Sequence, residues 1–297
     1  MGVASVRMRV LSLVLRGARK PLLASAEAAR KRIAAPKADP APPLPLLRRH
    51  RVSVREVEGF PVYSVIPRGG TAPSRAVVYW HGGAYTAEIL RPHWSFVSQL
   101  ADAGCRVEVP LYGLTPDHTY REALPLGRAV HAELLKQFEP GAVTHAGDSS
   151  GGGLALAVTQ TLAGAGLALP GRLVLLSPWL DLTVANPGIA AVERRDPWLS
   201  SAGLIEAGLA WADGDDPLLP ALSPLHGELA GLPELDIRIG THDVFHPDCV
   251  ALHERATAAG VRSELHVVEG GWHVYVLGPV PEGRQARAEI IRKVAFD

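Results

Sequence analysis

The chain has 297 residues, with thirty lysines and arginines balanced by thirty aspartates and glutamates, and 47% of it is hydrophobic. That content can bury a sizeable core, while the balanced charge gives no whole-chain positive field to hold nucleic acid. Two cysteines, Cys105 and Cys249, are too few for a disulfide framework of the secreted kind. The expected setting is therefore a reducing cytoplasm and the expected partner a small neutral molecule.

Residues 10–15 are mostly apolar and follow Arg7 and Arg9, like the opening of an export signal. Arg16 interrupts the run, and Arg19, Lys20, Arg30, Lys31 and Arg32 follow, so nothing approaches the roughly 20 apolar residues of a membrane span. Stable membrane insertion is not expected. A basic amphipathic helix or two remains, with packing onto the body and peripheral contact with a membrane surface as the alternatives. Residues 34–45 carry five prolines and read as a tether. The expected organisation is N-terminal helices and tether over 1–46 and one large domain over 47–297.

Within that domain, apolar runs of strand length fall at 51–57, 61–66, 76–80, 106–109, 142–146, 172–176, 235–239 and 264–268. The first two are joined tightly and should pair antiparallel. The later ones are separated by helix-length stretches that allow right-handed parallel crossovers. Helical patterns occupy 125–138, 151–165, 247–259 and 281–295, several opening on proline or closing on glycine. The fold class is α/β, a mostly parallel central sheet flanked by helices. Residues 183–224 break the alternation, include a helical piece at 201–210, and read as an insertion over the site.

Gly147-Asp148-Ser149-Ser150-Gly151 fits G-x-S-x-G between an apolar strand and a small-residue helix. That context marks Ser149 as a nucleophile on a strained strand-to-helix turn, where side chains on the flanking glycines would strike neighbouring backbone. A glycine-rich capped turn is the bland alternative for the bare pattern. Ser150 is adjacent to Ser149 and chemically identical, but only Ser149 is central between the glycines, and the Ser150 N–H is placed to donate to an oxyanion. His81-Gly82-Gly83-Ala84-Tyr85 follows the strand at 76–80, and its paired glycines can turn N–H groups toward a cavity.

H-G-G-A-Y and G-D-S-S-G-G resemble the H-G-G-G and G-D-S-A-G-G motifs of hormone-sensitive-lipase-like esterases, the bacterial family IV. Leu114-Thr115-Pro116-Asp117-His118 is similar to that family's L-A-P-E-H segment, and Ser177-Pro178-Trp179-Leu180-Asp181 to its S-P-W-x-D segment. The resemblance covers roughly residues 50–295 and implies the α/β-hydrolase fold with a helical cap built from the N-terminal helices and the 183–224 insertion. It also implies an oxyanion hole of Gly82, Gly83, Ala84 and Ser150, in which Gly83 and Ala84 supply the loop's amides and Gly82 shapes the turn. Ala84 departs from the family's third glycine, and Leu111 from an aspartate common before its tyrosine.

The chain order of this fold is nucleophile, acid, histidine. Asp243, after the strand at 235–239, lies in D-V-F-H-P-D, which resembles the family's D-x-L-x-D-E motif apart from Pro247. Asp248 competes, but at a helix start an acidic side chain has an ordinary use as cap or dipole partner. Of twelve histidines, His273 in G-G-W-H-V has the family's position for the base. The expected catalytic residues are Ser149, Asp243 and His273. His242, Asp243, His246 and Asp248 also cluster, yet Pro247 breaks the helix face that a metal site would need. The expected activity is hydrolysis of short- to medium-chain carboxylic esters with no cofactor and no metal, Trp198 and Trp211 being candidate cap aromatics. A lactonase, amidase or deacetylase would use the same three residues, and a non-catalytic receptor on this fold is the alternative from another class.

Overall fold

The computed structural model describes residues 4–69 and 71–297; the first three residues of the 1–46 segment, and Gly70, lie outside the described residues. Eight strands among them form one sheet: β1 (His50–Val57), β2 (Phe60–Pro67), β3 (Ala76–Trp80), β4 (Arg106–Pro110), β5 (Val143–Asp148), β6 (Arg172–Leu176), β7 (Glu234–His242) and β8 (Ser263–Trp272). Their spatial order is β1-β2-β4-β3-β5-β6-β7-β8. Strand β2 runs antiparallel to both its neighbours, and all remaining pairs are parallel.

The central strands are buried on both faces and mostly apolar because helices cover the sheet on both sides. Side chains alternate between two cores: Val78, Trp80, Leu173 and Leu175 enter one, and Val77, Tyr79, Val174 and Leu176 enter the other. Ten α-helices complete the described residues: α1 (Val6–Ala18), α2 (Ala26–Ala34), α3 (Leu44–Arg49), α4 (Arg91–Asp102), α5 (Tyr120–Leu135), α6 (Ser150–Leu162), α7 (Ile189–Glu193), α8 (Ser201–Ala212), α9 (His246–Ala258) and α10 (Pro281–Phe296). None is long and apolar enough to cross a membrane.

Three differences from the sequence reading have local causes. Helix α5 begins at Tyr120 instead of 125, because Thr119 and Glu122 form a reciprocal capping box that starts the helix five residues before Pro125. Pro125 is then inside the helix and leaves one carbonyl of the previous turn without its N–H. Helix α4 has no counterpart in the sequence pattern; Leu90 N–H donates to His93 Nδ1 at 2.8 Å and closes its first turn. The tether ends early, since Leu44–Arg49 is helical and leads directly into β1.

The N-terminal helices lie against the body. Ser5 donates from both N–H and Oγ to the Glu282 carboxylate at 2.7 and 3.0 Å, and Met8 is fully buried. Lys20 Nζ donates to the carbonyls of Glu193, Asp196 and Leu199 at 2.8–3.0 Å, tying the turn after α1 to the segment between β6 and β7. Helix α2 packs on α8 of the same segment.

Behind the site, His131 Nδ1 lies 3.0 Å from His145 Nε2 and His131 Nε2 lies 2.8 Å from the Ala168 carbonyl. The carbonyl can only accept, so His131 carries its proton on Nε2, His145 donates from Nε2, and buried His145 Nδ1 has no partner. Burial lowers the pKa of both rings, and for His145 the neighbouring His131 adds to the effect. A base with a depressed folded-state pKa contributes stability that is complete above the ordinary histidine value near 6.5 and lost as pH falls below it. Between pH 8 and pH 5.5 (roughly bracketing that value), the melting temperature of a His145→Leu variant should therefore gain on the wild type by about 2–4 °C. Parallel melting curves across that range would show that the pair is not held neutral.

Candidate active site

Strand β5 delivers the chain to Ser149, whose φ of 54° and ψ of −124° is a conformation that costs a non-glycine residue about 1–3 kcal/mol. The surroundings hold it there. Ser149 N–H donates to the Leu176 carbonyl at 2.9 Å, and its own carbonyl accepts from Gly152, Gly153 and Trp179 at 2.9–3.1 Å. Gly151 is required by close approach, because a Cβ there would run into the Trp80 and His81 carbonyls. The Ser177–Asp181 segment thus braces the elbow through Trp179, and it also reaches the loop of His273: Ser177 Oγ accepts from Val274 N–H at 3.0 Å, one residue past that histidine.

His273 follows β8 directly. Its Nε2 lies 3.0 Å from Ser149 Oγ and its Nδ1 3.0 Å from Asp243 Oδ2. An ionised carboxylate can only accept, so Nδ1 carries the proton and the Nε2 lone pair faces the serine hydroxyl. Asp243 is fully buried just past β7, and its second oxygen accepts from Phe245 N–H at 3.1 Å. Burial alone would lower the His273 pKa, but the Asp243 carboxylate, helped by Asp196 and Asp148, outweighs it and raises the value above 6.5. The imidazole is also walled by the edges of Trp198 and Phe245, with ring centroids 5.6 and 5.4 Å away.

The His81–Tyr85 loop faces the serine. Gly82 N–H donates to Asp148 Oδ1 at 3.1 Å, and a Cβ on Gly82 would strike that carboxylate. Gly82 therefore gives the loop its close seat, and its N–H is already engaged by Asp148, as befits a residue that shapes the turn. Among the described residues no protein acceptor takes the N–H of Gly83, Ala84 or Ser150. Asp148 also accepts from Tyr79 Oη at 2.6 Å, and His93 Nε2 lies 3.3 Å from its other oxygen. Burial opposes its ionisation, but His93, Tyr79 and Gly82 together hold it below the usual carboxylate range. A cavity of about 230 Å³ opens on Ser149, Gly83, Ala84 and His273. Leu15 and Leu23 of the N-terminal segment and Leu199 and Leu204 of the segment between β6 and β7 supply apolar lining, and Arg19, Arg32 and Glu88 supply charged lining.

A sequence profile of the α/β-hydrolase fold matches residues 77–277, which include the elbow, the loop and all three aligned side chains. The chain belongs to the α/β-hydrolase family, in its hormone-sensitive-lipase-like branch. It is 38% identical over 218 residues to an acetyl-hydrolase of Streptomyces hygroscopicus, covering 71% of this chain and 72% of that one. A putative acetyl-hydrolase, LipR, of Mycobacterium tuberculosis is 33% identical over 96% of this chain and 93% of its own. Among solved structures, EstE5 soaked with p-nitrophenyl butyrate superposes with a TM-score of 0.84 at 29% identity, covering 99% of this chain and 100% of that one. An esterase from the bacterial hormone-sensitive lipase family superposes at 0.82 with 28% identity, covering 99% of both chains.

Within this α/β-hydrolase the structure brings Ser149, His273 and Asp243 into one relay and leaves Asp248 out of it. Asp248 accepts from Asn186 Nδ2 at 2.9 Å, and burial pushes its carboxyl up to about 6. The cluster of His242, Asp243, His246 and Asp248 does not converge, and among the described residues no three His, Cys, Asp or Glu side chains are grouped to hold a metal ion. Sequence reasoning missed Asp196, a fully buried carboxylate beside the relay. Its Oδ1 accepts from Trp198 and Leu199 N–H at 2.6 and 2.8 Å, and its Oδ2 from Val244 N–H at 2.8 Å, so it joins the Trp198 segment to the loop that carries Asp243. Burial, and then Asp243, push its carboxyl up to about 6. The available signal was an aspartate followed by N–H groups two and three residues on, the pattern of an Asx turn. Trp211 stacks face to face on Tyr85 at 4.2 Å and belongs to the core under the loop.

Proposed function

We propose that this α/β-hydrolase is a serine carboxylic-ester hydrolase acting on small, short- to medium-chain esters through an acyl-enzyme on Ser149. The observation that carries the reading is the unbroken relay from Asp243 through His273 to Ser149 on a cavity also lined by Gly83 and Ala84, whose N–H groups no protein acceptor takes among the described residues. In the first step Ser149 Oγ attacks the ester carbonyl as His273 Nε2 takes its proton, and Gly83, Ala84 and Ser150 donate to the oxygen that becomes negative. Collapse expels the alcohol, which receives the proton from His273. Water then enters, gives its proton to the same nitrogen and releases the acid.

The N-terminal segment through residue 46 and residues 183–224 act together as the cap. In support, α2 lies on α8, Lys20 holds the 193–199 stretch, and both segments supply cavity wall. A volume of about 230 Å³ lies below the roughly 300–1,000 Å³ of pockets for drug-sized ligands and suits a short acyl group. The names of the related acetyl-hydrolases and the p-nitrophenyl butyrate soaked into EstE5 agree with that size. The two buried free thiols, Cys105 and Cys249, suit a reducing cytoplasm.

Two measurements on the wild type test the reading. Phenylmethylsulfonyl fluoride should add one sulfonyl group per chain, on the peptide that contains Ser149. Release of p-nitrophenol should be fastest from acetate or butyrate and slow from palmitate. Labelling at Ser149 without turnover of any ester would transfer the activity to lactones or amides. Absence of labelling would sink the hydrolase reading and favour a receptor.

A further inference from the structure

Helix α1 has a second apolar face that the fold does not use. Its inner face is fixed by buried Met8, the Ser5–Glu282 pair and Trp272 Nε1, which donates to the Met8 carbonyl at 3.4 Å. On the opposite side Val6, Val10, Leu13 and Val14 are 67%, 53%, 72% and 57% exposed. These positions are i, i+4, i+7 and i+8, one stripe along the helix. Single exposed aliphatics are ordinary, but four in line on a helix whose other face is anchored are a surface of their own.

The stripe is edged by positive charge. Arg9 and Arg16 lie along one flank and Arg7 along the other, all exposed, although Arg16 Nη2 is turned to the body and donates to the Arg195 carbonyl at 3.1 Å. Arg19 and Lys20 follow at the helix end, and no acidic residue occurs before Glu27. An apolar centre with long basic side chains on both flanks matches the boundary between acyl chains and anionic headgroups, where arginines reach outward to phosphate while the aliphatic groups enter the hydrocarbon. A second copy of the chain fits less well. A two-fold contact through this face would set arginine against arginine, with no carboxylate on the helix to separate them.

We propose that the outer face of α1 docks the protein on an anionic lipid bilayer, with Val6, Val10, Leu13 and Val14 entering the interface and Arg7 and Arg9 engaging phosphate. The docking brings the cavity to the membrane, because Leu15 on the inner side of the same helix and Leu22 in the turn after it line that cavity. The inference does not depend on the hydrolase reading, since binding is measured without turnover.

The test is cosedimentation of the full chain with vesicles of phosphatidylcholine alone and of phosphatidylcholine containing phosphatidylglycerol. The wild type should bind the anionic vesicles and release as salt is raised. Val10→Asp/Leu13→Asp should weaken partition at least about tenfold, and Arg7→Gln/Arg9→Gln should weaken it about fivefold per arginine on anionic vesicles. Val10→Gln/Leu13→Gln gives a milder pair, and melting curves verify that each variant is folded. The proposal is overturned by wild-type binding that ignores lipid charge or matches the aspartate variant. It is equally overturned if light scattering shows a dimer that the aspartate variant dissolves, since a second copy would then cover the face.

Discussion

Ser149→Ala is expected to lower kcat for p-nitrophenyl butyrate by about six orders of magnitude with the fold intact, as loss of the nucleophile does in serine hydrolases generally. The residual rate should still exceed that in water by about 10³-fold, because the Gly83, Ala84 and Ser150 amides and the cavity remain. Ser150 cannot take over. Its side chain is fully buried, its Oγ has no partner, and its carbonyl accepts from Tyr85 Oη at 3.0 Å, which fixes the residue away from His273. Because the relay acts as a unit, adding His273→Ala to Ser149→Ala should cost almost nothing further. Stability offers an independent check. Alanine inherits the φ of 54° at this position, whereas Ser149→Gly relieves it and should raise stability by about 1 kcal/mol while abolishing turnover. A Ser149→Ala enzyme that retained a substantial share of activity would remove the nucleophile assignment altogether.

Which features were legible follows from how local their causes are. Strands β3 and β6 could be read because they are buried on both faces and carry apolar runs bounded by turn residues, whereas β5 is as fully buried but includes Thr144, His145 and Asp148 and is marked by the elbow that follows it. The elbow could be read because its glycines answer to backbone only a few ångströms away, a constraint that appears directly as G-x-S-x-G. Helix α5 starts earlier than Pro125 suggests because the Thr119–Glu122 box is the stronger start signal. Other site residues depend on distant partners. Asp148 matters to the oxyanion loop through Tyr79, Gly82 and His93, and Asp196 matters to the acid loop through Val244, 48 positions away. No local spacing encodes such pairings. One sequence pattern in the N-terminal helix suits both packing and membrane contact, and the structure shows why: it has apolar residues on two sides, with Met8 inward and Leu13 outward.

The acid assignment rests on a comparison of two carboxylates five residues apart. Asp243→Asn should lower kcat by about four orders of magnitude, because an amide can present its NH₂ to Nδ1 and so favour the tautomer whose Nε2 carries the proton and cannot accept from Ser149. Asp248→Asn should leave kcat within about threefold, as expected for a change away from the reacting groups. Its carboxyl meets Asn186 and has one buried oxygen without a partner, and it contributes nothing to the orientation of His273. The pH profile separates a lost charge from a collapsed loop. The base works only when neutral, and Asp243 leads the influences that raise the His273 pKa, so wild-type kcat/KM should fall with acidification through a midpoint above 6.5. In Asp243→Asn the leading stabiliser of the imidazolium is gone while burial still opposes it. The midpoint should therefore move to lower pH even as the plateau drops. A plateau that drops with an unchanged midpoint would mean that Asp243 only holds the loop in place, and a large loss in Asp248→Asn would transfer the role to the other carboxylate.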